Sequence, residues 1–598
     1  MKTNDIPLRK DVLENDKWNL SSLYKSNKEW EEDLESFSAK IEKVEQFAGK
    51  LSESKETLLN ALKALEEADK SLEKIYNYAH LILSTDEACP DAQDKEGRAR
   101  MAYTNFSSRT SFFNPELQSI DSKKINEWIE EPSFSDYRIF IKKLLRLKQF
   151  ILSEKEERII SLQSESAATS HKAFTIFTNA DMQFASITID GKEKALTQST
   201  WSVFMENEDR NIREKAYKQF YDTFEKNENT LAALYAGSVN QDVFYARARS
   251  YNSCLEKALY ADKIPVGVYH NLIKTINENL DSLHKYYKVR KRALGLNELR
   301  HYDVYVPLVK NIKMHTPYND AVELCKNALK PLGSEYTEIL SEGLLSGWVD
   351  RYENKGKRSG AFSSGGYIGW PYILLNYKED SIRDVFTMIH EGGHSMHSWY
   401  SVKNNPYMQY SYTIFEAEVA STFNEELLFN HLLKNAKNNE EKAYLLAMRA
   451  SDIVATLYRQ TMFAEYELKT HELVENGTPL SSKILRETYR SLLEKYFGSE
   501  MVFESNSDME GMRIPHFYNS FYVYKYATGI SASLALAKRV TEGGEKEKED
   551  YFSFLKSGGS RYPLESLKLA GVDMETSTPV QEACNIFKSI VTELDKIL

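Results

Sequence analysis

The sequence 387-TMIHEGGHSMHSWYS-401 carries three of the 12 histidines of this 598-residue chain. Apolar residues around it, such as Val385 and Ile389, recur at helical spacing, which predicts a helix through the segment. Ser381 and Asp384 have the S-x-x-D spacing of a capping box and are expected to begin that helix. The histidine cluster is therefore predicted to lie on one helix.

Two of the histidines and one glutamate have the spacing of a catalytic metal site. On a helix, His390 and His394 lie one turn apart on the same face, so both imidazoles can bind one ion. Glu391 lies beside His390 and can contact a water on that ion without being a ligand. This HExxH pattern predicts a zinc hydrolase. The alternative is a pair of histidines held by neighbouring side chains on a half-buried helix.

The third protein ligand of such a site does not follow from this helix alone. Seven helical residues rise about 10.5 Å, which is too far for His390 and His397 to bind the same ion. His397 is therefore the less favoured ligand, and we expect it to be a neighbouring, substrate-facing or ligand-orienting residue. The segment 412-YTIFEAEVASTFNEELL-428 is predicted to form a second helix with Glu418 and Glu425 on one face. Either glutamate can be the third ligand.

The composition excludes several classes of function. The chain has 77 basic and 88 acidic residues, a net charge of -11, which argues against binding to nucleic acid or to an anionic membrane surface. Its four cysteines show no CxxC spacing, which favours a reducing cytoplasm and argues against a cysteine-based zinc site. We expect no export signal and no membrane span, because long apolar runs do not occur.

Helical periodicity covers most of the chain and predicts a mainly α protein. An extended run that ends at Asp190-Gly191 interrupts it. We place a boundary near this run, between an N-terminal helical lobe, 1–200, and a catalytic domain, 201–598. The glycine-rich segment 357–381 is predicted to form a small hairpin.

Further motifs accompany the histidine cluster along the chain. HEGGH is followed, 24 positions after its second histidine, by the glutamate of EVASTFNEE. Elsewhere the chain contains KWNLSSLY (17–24), NADMQF (179–184), KRSGAFS (357–363), PYILLNY (371–377), IPHFYNSFYVYKYATG (514–529) and FLKSGGSRYPLESLKLAGVDM (554–574). Together these stretches resemble the oligoendopeptidase F branch of the thimet oligopeptidase family, and the resemblance covers nearly the whole chain.

The resemblance implies a mainly α fold in which two helical lobes enclose a deep channel, with an HExxH zincin-like catalytic core and a small β-hairpin. One zinc ion is expected on His390, His394 and Glu418 at the bottom of the channel, which only short unfolded peptides can enter. Glu391 is expected to be the general base. Glu425, about two turns beyond Glu418, is expected to orient a ligand histidine.

The resemblance also implies residues that hold the peptide backbone. Four consecutive residues are expected to form an edge strand with which the substrate pairs: Gly360, Ala361, Phe362 and Ser363. Such pairing accepts many side-chain sequences, because main-chain groups make the hydrogen bonds. The alternative is a plain structural edge.

A histidine and tyrosines are expected near the scissile carbonyl. His516 matches the family's histidine that holds the substrate carbonyl and its developing oxyanion. On a helix, Tyr522 and Tyr526 would share a face, and we expect them to assist His516. Tyr524 would point away from that face, and both Tyr524 and Tyr518 are expected to be packing residues.

The predicted function is that of a zinc-dependent endopeptidase cleaving internal bonds of short unfolded oligopeptides, with Glu391 as the base that activates the attacking water. One alternative is a metallo-carboxypeptidase or dipeptidyl carboxypeptidase, in which Arg513, Arg561 or a lysine holds a terminal carboxylate. A remote alternative is a non-catalytic peptide-binding protein. We expect peptide partners, one zinc per chain, a cytoplasmic location, and a monomer or small homo-oligomer. The ligand types also suit cobalt or manganese.

Overall fold

The computed structural model describes residues 6–309 and 314–598 and is mostly α-helical. Numbered in chain order, the helices are α1 Asn27–Glu45, α2 Lys55–Thr85, α3 Pro90–Arg109, α4 Phe113–Ser119, α5 Ser122–Ile129, α6 Arg138–Arg146, α7 Glu154–Ala167, α8 Thr169–Ile176, α9 Trp201–Met205, α10 Arg210–Glu225, α11 Glu228–Ala248, α12 Cys254–Tyr260, α13 Val266–Glu278, α14 Leu280–Ala293, α15 Tyr318–Ala328, α16 Ser334–Leu345, α17 Ile382–Asn404, α18 Tyr407–Tyr410, α19 Ile414–Lys434, α20 Asn439–Ile453, α21 Arg459–Glu475, α22 Ser482–Phe497, α23 Tyr524–Glu542, α24 Glu545–Ser557, α25 Pro563–Leu569 and α26 Thr578–Ile597. The strands are β1 Ile187–Ile189, β2 Lys192–Lys194, β3 Leu299–Arg300, β4 Val349–Asp350, β5 Phe362–Ser364, β6 Tyr372–Leu374 and β7 Met501–Val502. Within the described residues, no helix is both long and apolar enough to cross a lipid bilayer.

The chain divides into two compact units, and neither is one continuous stretch. The first comprises Met1–Lys148, Lys313–Leu432 and Ser533–Val572. The second comprises Gln149–Ile312, Leu433–Ala532 and Asp573–Leu598. The expected division into contiguous segments, 1–200 and 201–598, stays a prediction.

The core of the first unit packs the N-terminal helices against part of a small sheet. Trp30 of α1 is fully buried, and its indole N–H donates to the carbonyl of Ile75 in α2 at 3.0 Å. Tyr372 and Leu374 of β6 belong to the same hydrophobic cluster. The amphipathic pattern of these helices explains why they form, because their apolar faces are buried together.

The sheet of the first unit contains three strands in the order β4-β6-β5. Strand β4 runs parallel to β6, whereas β5 is antiparallel to it with Ser363 opposite Ile373. The hairpin expected within 357–381 is therefore confirmed. Strand β5 lies at the edge of this sheet, so one side of its backbone is not paired with another strand of the sheet.

The second unit contains the other predicted hairpin. Strands β1 and β2 pair antiparallel, with Ile189 opposite Lys192. Asp190 and Gly191 have φ values of 51° and 74°, the left-handed backbone that a two-residue hairpin turn requires. The Asp-Gly prediction is confirmed. A separate two-stranded sheet in this unit pairs β3 parallel to β7.

A buried carboxylate anchors the sheet of the first unit. The Asp350 side chain in β4 is fully buried and lies 2.8 Å from the ammonium of Lys357, which is also fully buried. Both carboxylate oxygens of Asp350 also accept from the guanidinium of Arg9, at 2.9 and 2.5 Å. The charge of Lys357 is compensated mainly by Asp350, which Lys357 shares with Arg9.

We predict that Asp350→Ala lowers the free energy of unfolding by about 3–5 kcal/mol, because it leaves the Lys357 ammonium buried without its counter-charge. Glu32→Ala is the matched control. It removes an ion pair with Lys28 whose side chains are 62% and 83% exposed, and its effect is expected to stay below about 1 kcal/mol. Denaturant unfolding measures both changes, and equal losses would contradict the prediction.

Candidate active site

Helix α17 carries the histidine cluster and begins where the sequence predicts. Ser381 is the residue before its first turn, but the Ser381 side chain makes no capping hydrogen bond. The carboxylate of Asp384 instead accepts the backbone N–H of Lys378 at 2.8 Å. The predicted capping box is therefore wrong, because Asp384 fixes the chain entering the helix through a residue three positions before Ser381.

His390, His394 and Glu418 lie together in the first unit. One potential ligand atom from each lies within 4.8 Å of the others. The Nε2 atoms of His390 and His394 are 3.4 and 3.6 Å from the same oxygen, Oε2 of Glu418. Two imidazole nitrogens and one carboxylate oxygen are a donor set that suits zinc and similar divalent ions. The residues present therefore fit a metal ion.

A close contact between two helix backbones brings Glu418 to the histidines. A side chain at Gly393 of α17 would place its Cβ 2.6 Å from the carbonyl oxygen of Ala420 and from the Cα of Ser421 in α19. Only glycine fits at this distance, because the obstructing atoms are backbone atoms that cannot rotate away. Glu418 lies two residues before this contact, so the contact sets its distance from the histidines.

Helical spacing left open whether Glu418 or Glu425 is the ligand, the family resemblance favoured Glu418, and the structure places the two carboxylates at different atoms. Glu425 bonds Nδ1 of His390 at 2.5 Å, on the opposite side of the ring from Glu418. A carboxylate at Nδ1 fixes the tautomer and the orientation of the imidazole, which leaves Nε2 available to an ion. This is the arrangement expected of a residue that orients a ligand.

Negative charge accumulates around the histidines. Burial opposes charge on His390, but the hydrogen bond and charge of Glu425, with the charges of Glu391 and Glu418, raise the pKa of His390 to about 9. Burial and the charge on His390 lower the pKa of His394. A divalent cation placed among these three carboxylates would be attracted by them and would displace the proton from His390.

Glu391 is buried next to this group. Burial, reinforced by the charges of Glu418 and Glu425, raises the pKa of Glu391 to about 7 despite the opposing charge of His390. The backbone amide of Ser363 in β5 lies close enough to the Glu391 carboxylate to oppose this rise in pKa. The carboxylate thus lies between the metal-binding group and the edge strand.

His397 lies outside the group of three. Its ring is 1% exposed and stacks on Tyr412, with centroids 3.7 Å apart and 7° between the planes. Burial lowers the pKa of His397 to about 3, so the ring is neutral. Its surroundings are those of a packed neighbour of the site, which is one of the three roles expected for it.

The edge strand is attached directly to α17. Ser363 of β5 forms a 2.8 Å hydroxyl hydrogen bond with Ser395, which is fully buried one residue after His394. In the following turn, a Cβ at Gly365 would lie 2.4 Å from Ser398. Gly360, Ala361 and Phe362 lead into and begin this strand. The strand and the metal-binding helix therefore form one rigid assembly.

His516 and two tyrosines come together in the second unit. The rings of His516 and Tyr526 are 6.2 Å apart, and those of Tyr522 and Tyr526 are 5.5 Å apart. Tyr522 does not lie on a helix, however, because α23 begins at Tyr524. The predicted helical relation between the two tyrosines is wrong. Phe521, directly before Tyr522, has a φ of 57°, so the chain forms a turn there and not a helix.

Tyr524 and Tyr518 lie in packed surroundings, as expected. Tyr524 is fully buried against Tyr269, with ring centroids 5.1 Å apart. Tyr518 stacks on Phe174 at 4.3 Å and on His171 at 5.5 Å.

Comparison with known proteins assigns the chain to a family. A sequence profile described as peptidase family M3 matches residues 203–586, and one described as oligopeptidase F matches residues 116–184. The chain belongs to peptidase family M3. An oligoendopeptidase F homolog of Borreliella burgdorferi is 43% identical over 590 residues, which are 98% of this chain and 99% of that protein.

Other relatives in the family are similar to this protein over nearly the whole chain. Oligopeptidase PepF of Bacillus subtilis is 40% identical over 100% of this chain and 89% of that protein. The crystal structure of oligoendopeptidase-F from Enterococcus faecium has a TM-score of 0.73 at 31% identity, covering 96% of this chain and 99% of the other. This member of the family is accordingly a metalloendopeptidase. The recognition made from its motifs is confirmed.

The sequence alone did not indicate the role of Gly393. Gly393 lies inside the HEGGH motif, but its role as the contact point between α17 and α19 depends on a helix that begins 21 residues later. The only local signal was two adjacent glycines in a helix, where glycine is unfavourable and therefore points to a packing or functional reason.

We predict that Gly393→Ala weakens metal binding by about 10- to 100-fold, the range seen when the supports of metal ligands are disturbed. The added methyl group forces α19 away from α17 and moves Glu418 from the histidines. Gly392→Ala is the control, because its Cβ would meet only the side chain of Leu340, at 3.1 Å. Metal content after dialysis against a graded chelator measures both, and equal retention in the two variants would contradict the prediction.

Proposed function

We propose that the protein is a zinc-dependent endopeptidase that hydrolyses internal bonds of short unfolded oligopeptides, with Glu391 as general base. The observation that carries this proposal is the convergence of His390, His394 and Glu418, with the buried carboxylate of Glu391 beside them. The family supports peptidase activity, and the names of its relatives favour internal cleavage over the carboxypeptidase and binding-only alternatives.

His390, His394 and Glu418 would hold the ion. When bound, zinc would supply Lewis acidity, which makes water a better nucleophile and polarises the substrate carbonyl. Glu425 would keep Nε2 of His390 directed at the ion through its bond to Nδ1. The donor set accepts other divalent metals as well, and zinc is the one that two imidazoles and a carboxylate most commonly hold in peptidases of this motif.

Glu391 would move the proton. Its carboxylate would take a proton from the attacking water and later deliver it to the leaving nitrogen, because one base in hydrogen-bonding reach of both can serve each step. The Ser363 N–H would hold the carboxylate in place between β5 and the ligands. Burial strengthens these interactions, since little water competes for them.

The chain would hold the peptide through its backbone. Residues 360–363, ending in the edge strand β5, would pair with the substrate main chain, which explains acceptance of many side-chain sequences. His516, Tyr526 and Tyr522 would donate hydrogen bonds to the substrate carbonyl as its oxygen becomes negative, as the family resemblance implies. Their mutual contacts in the second unit support this shared role.

The remaining expectations are unchanged. One zinc ion per chain, a monomer or small homo-oligomer and a cytoplasmic location stay predictions.

Glu391→Gln tests the proposed base. The amide cannot accept a proton, so we expect kcat to fall about 10²- to 10⁴-fold while the metal stays bound. An internally quenched peptide blocked at both ends measures turnover with and without a chelator, and mass spectrometry locates the cut. Glu338→Gln, an exposed glutamate on α16, is the control and should retain full activity. Near-normal turnover in Glu391→Gln would remove this residue from the mechanism.

Tyr526→Phe tests the proposed oxyanion donor. Loss of a hydroxyl that acts on the transition state should lower kcat about 10²- to 10³-fold with little change in KM. Tyr518→Phe is the control, because the buried Tyr518 hydroxyl has no hydrogen-bond partner in the described part of the chain. Unaltered kcat in Tyr526→Phe would assign the role to another residue.

A further inference from the structure

The turn that carries Tyr522 is held in an unfavourable backbone conformation. Phe521 has a φ of 57°, in the left-handed region where residues with a side chain other than Asn or Asp are uncommon. Such a conformation persists only where surrounding contacts impose it, and it is found most often at functional sites. The contacts around Phe521 therefore need an explanation.

A buried glutamate of α21 holds this residue by its main chain. Oε1 of Glu467 accepts the backbone N–H of Phe521 at 3.1 Å, and Glu467 is fully buried. The Phe521 ring packs on Tyr269 at 5.7 Å and on His471, one turn after Glu467, at 4.6 Å. The amide is fixed by one hydrogen bond and the ring by two aromatic contacts.

Packing alone does not explain a glutamate at position 467. Burial raises the pKa of Glu467 well above its usual range, which favours the uncharged form of its carboxyl group. Within the described residues, its second oxygen Oε2 has no hydrogen-bond partner. A buried polar group that is only half satisfied destabilises the fold relative to leucine or methionine, which would fill the same space.

The hydrogen bond between the Phe521 N–H and Glu467 affects the positions of the tyrosines that follow Phe521. Tyr522 follows Phe521, and the first turn of α23 is tied to it by the bond from the Lys525 N–H to the Tyr522 carbonyl at 3.1 Å. Tyr526 then lies 5.5 Å from Tyr522 and 6.2 Å from His516, measured between ring centroids. A change in the backbone at Phe521 would move Tyr522 directly. It would also move Tyr526, because it would shift the first turn of α23.

We propose that Glu467 is a positioning residue for hydrolysis, which holds the Phe521 amide so that Tyr522 and Tyr526 are directed at the substrate carbonyl. It does not touch the substrate. The inference rests on the proposed function of these tyrosines and extends it to a residue on a different helix. It predicts an effect on turnover that is separate from any effect on metal binding or substrate affinity.

The test compares Glu467→Leu with Glu467→Gln in the full-length, zinc-loaded enzyme. Leucine fills the space but cannot accept the Phe521 N–H, and kcat is expected to fall at least about tenfold, with KM within about twofold and zinc content unchanged. Glutamine keeps an acceptor oxygen at the same position, so its kcat is expected to stay within about threefold of the parent. If Glu467→Leu does not fold, Glu467→Asp withdraws the carboxyl group by one methylene and is expected to show the same loss of kcat.

A double-mutant cycle separates positioning from a general structural role. In the Tyr522→Phe, Tyr526→Phe background, Glu467→Leu should lower kcat by less than about threefold, because the hydroxyls that Glu467 positions are already absent. A residue that merely stabilises the fold would lower kcat by the same factor in both backgrounds. Equal factors would therefore overturn the proposal.

The outcomes distinguish this proposal from the proposed function. Full activity of Glu467→Leu together with impaired Tyr526→Phe would overturn the role of Glu467 and leave the role of the tyrosine standing. Full activity of both tyrosine variants would overturn the oxyanion role and this proposal with it. A Glu467→Gln variant as impaired as Glu467→Leu would also overturn it, because the acceptor oxygen would then be irrelevant.

Discussion

The grouping of His390, His394 and Glu418 depends on the contact between the backbones of α17 and α19 at Gly393. An ion bound at about 2 Å by each ligand requires the atoms of all three ligands to lie within a few ångströms of one another. Two come from one helix turn, but the third comes from another helix. Helices usually pack with their axes 8–10 Å apart, a distance set by the side chains at the contact. Because Gly393 has no Cβ, the backbones of α17 and α19 can lie close together at this point, and Glu418 reaches the histidines from there.

The group formed by this contact concentrates negative charge in a half-buried place. Glu391, Glu418 and Glu425 surround two imidazoles, and the carboxylate charges raise the pKa of His390 despite its burial, so a proton on His390 offsets part of the negative charge. A divalent ion held by the same residues would supply more positive charge than this proton does. The same carboxylates would therefore favour a divalent cation at this site.

The surroundings of the group are rigid for reasons of hydrogen bonding and sterics. Ser363 links the edge strand to Ser395 on α17, and the strand belongs to a sheet that Asp350 and Lys357 anchor from inside. In the second unit a single bond to Glu467 fixes the turn before α23. In each place a buried polar contact, which is specific in direction, sets the position of a segment that apolar packing alone would leave less defined.

The sequence by itself determined the parts of the protein that follow from local periodicity. It predicted a mainly α chain, the hairpins at Asp190-Gly191 and within 357–381, and two histidines on one face of a helix, because a helical turn or a two-residue turn involves only neighbouring residues. It could not place partners that are distant along the chain. Only tertiary packing decided three further features: which glutamate lies close to both histidines, how His397 is buried, and why position 393 must be glycine. The loops between helices leave the relative positions of the helices free. The same reason explains the error at Tyr522, because the residue before it, Phe521, forms a turn whose N–H is hydrogen-bonded to Glu467, 54 residues before Phe521 along the chain.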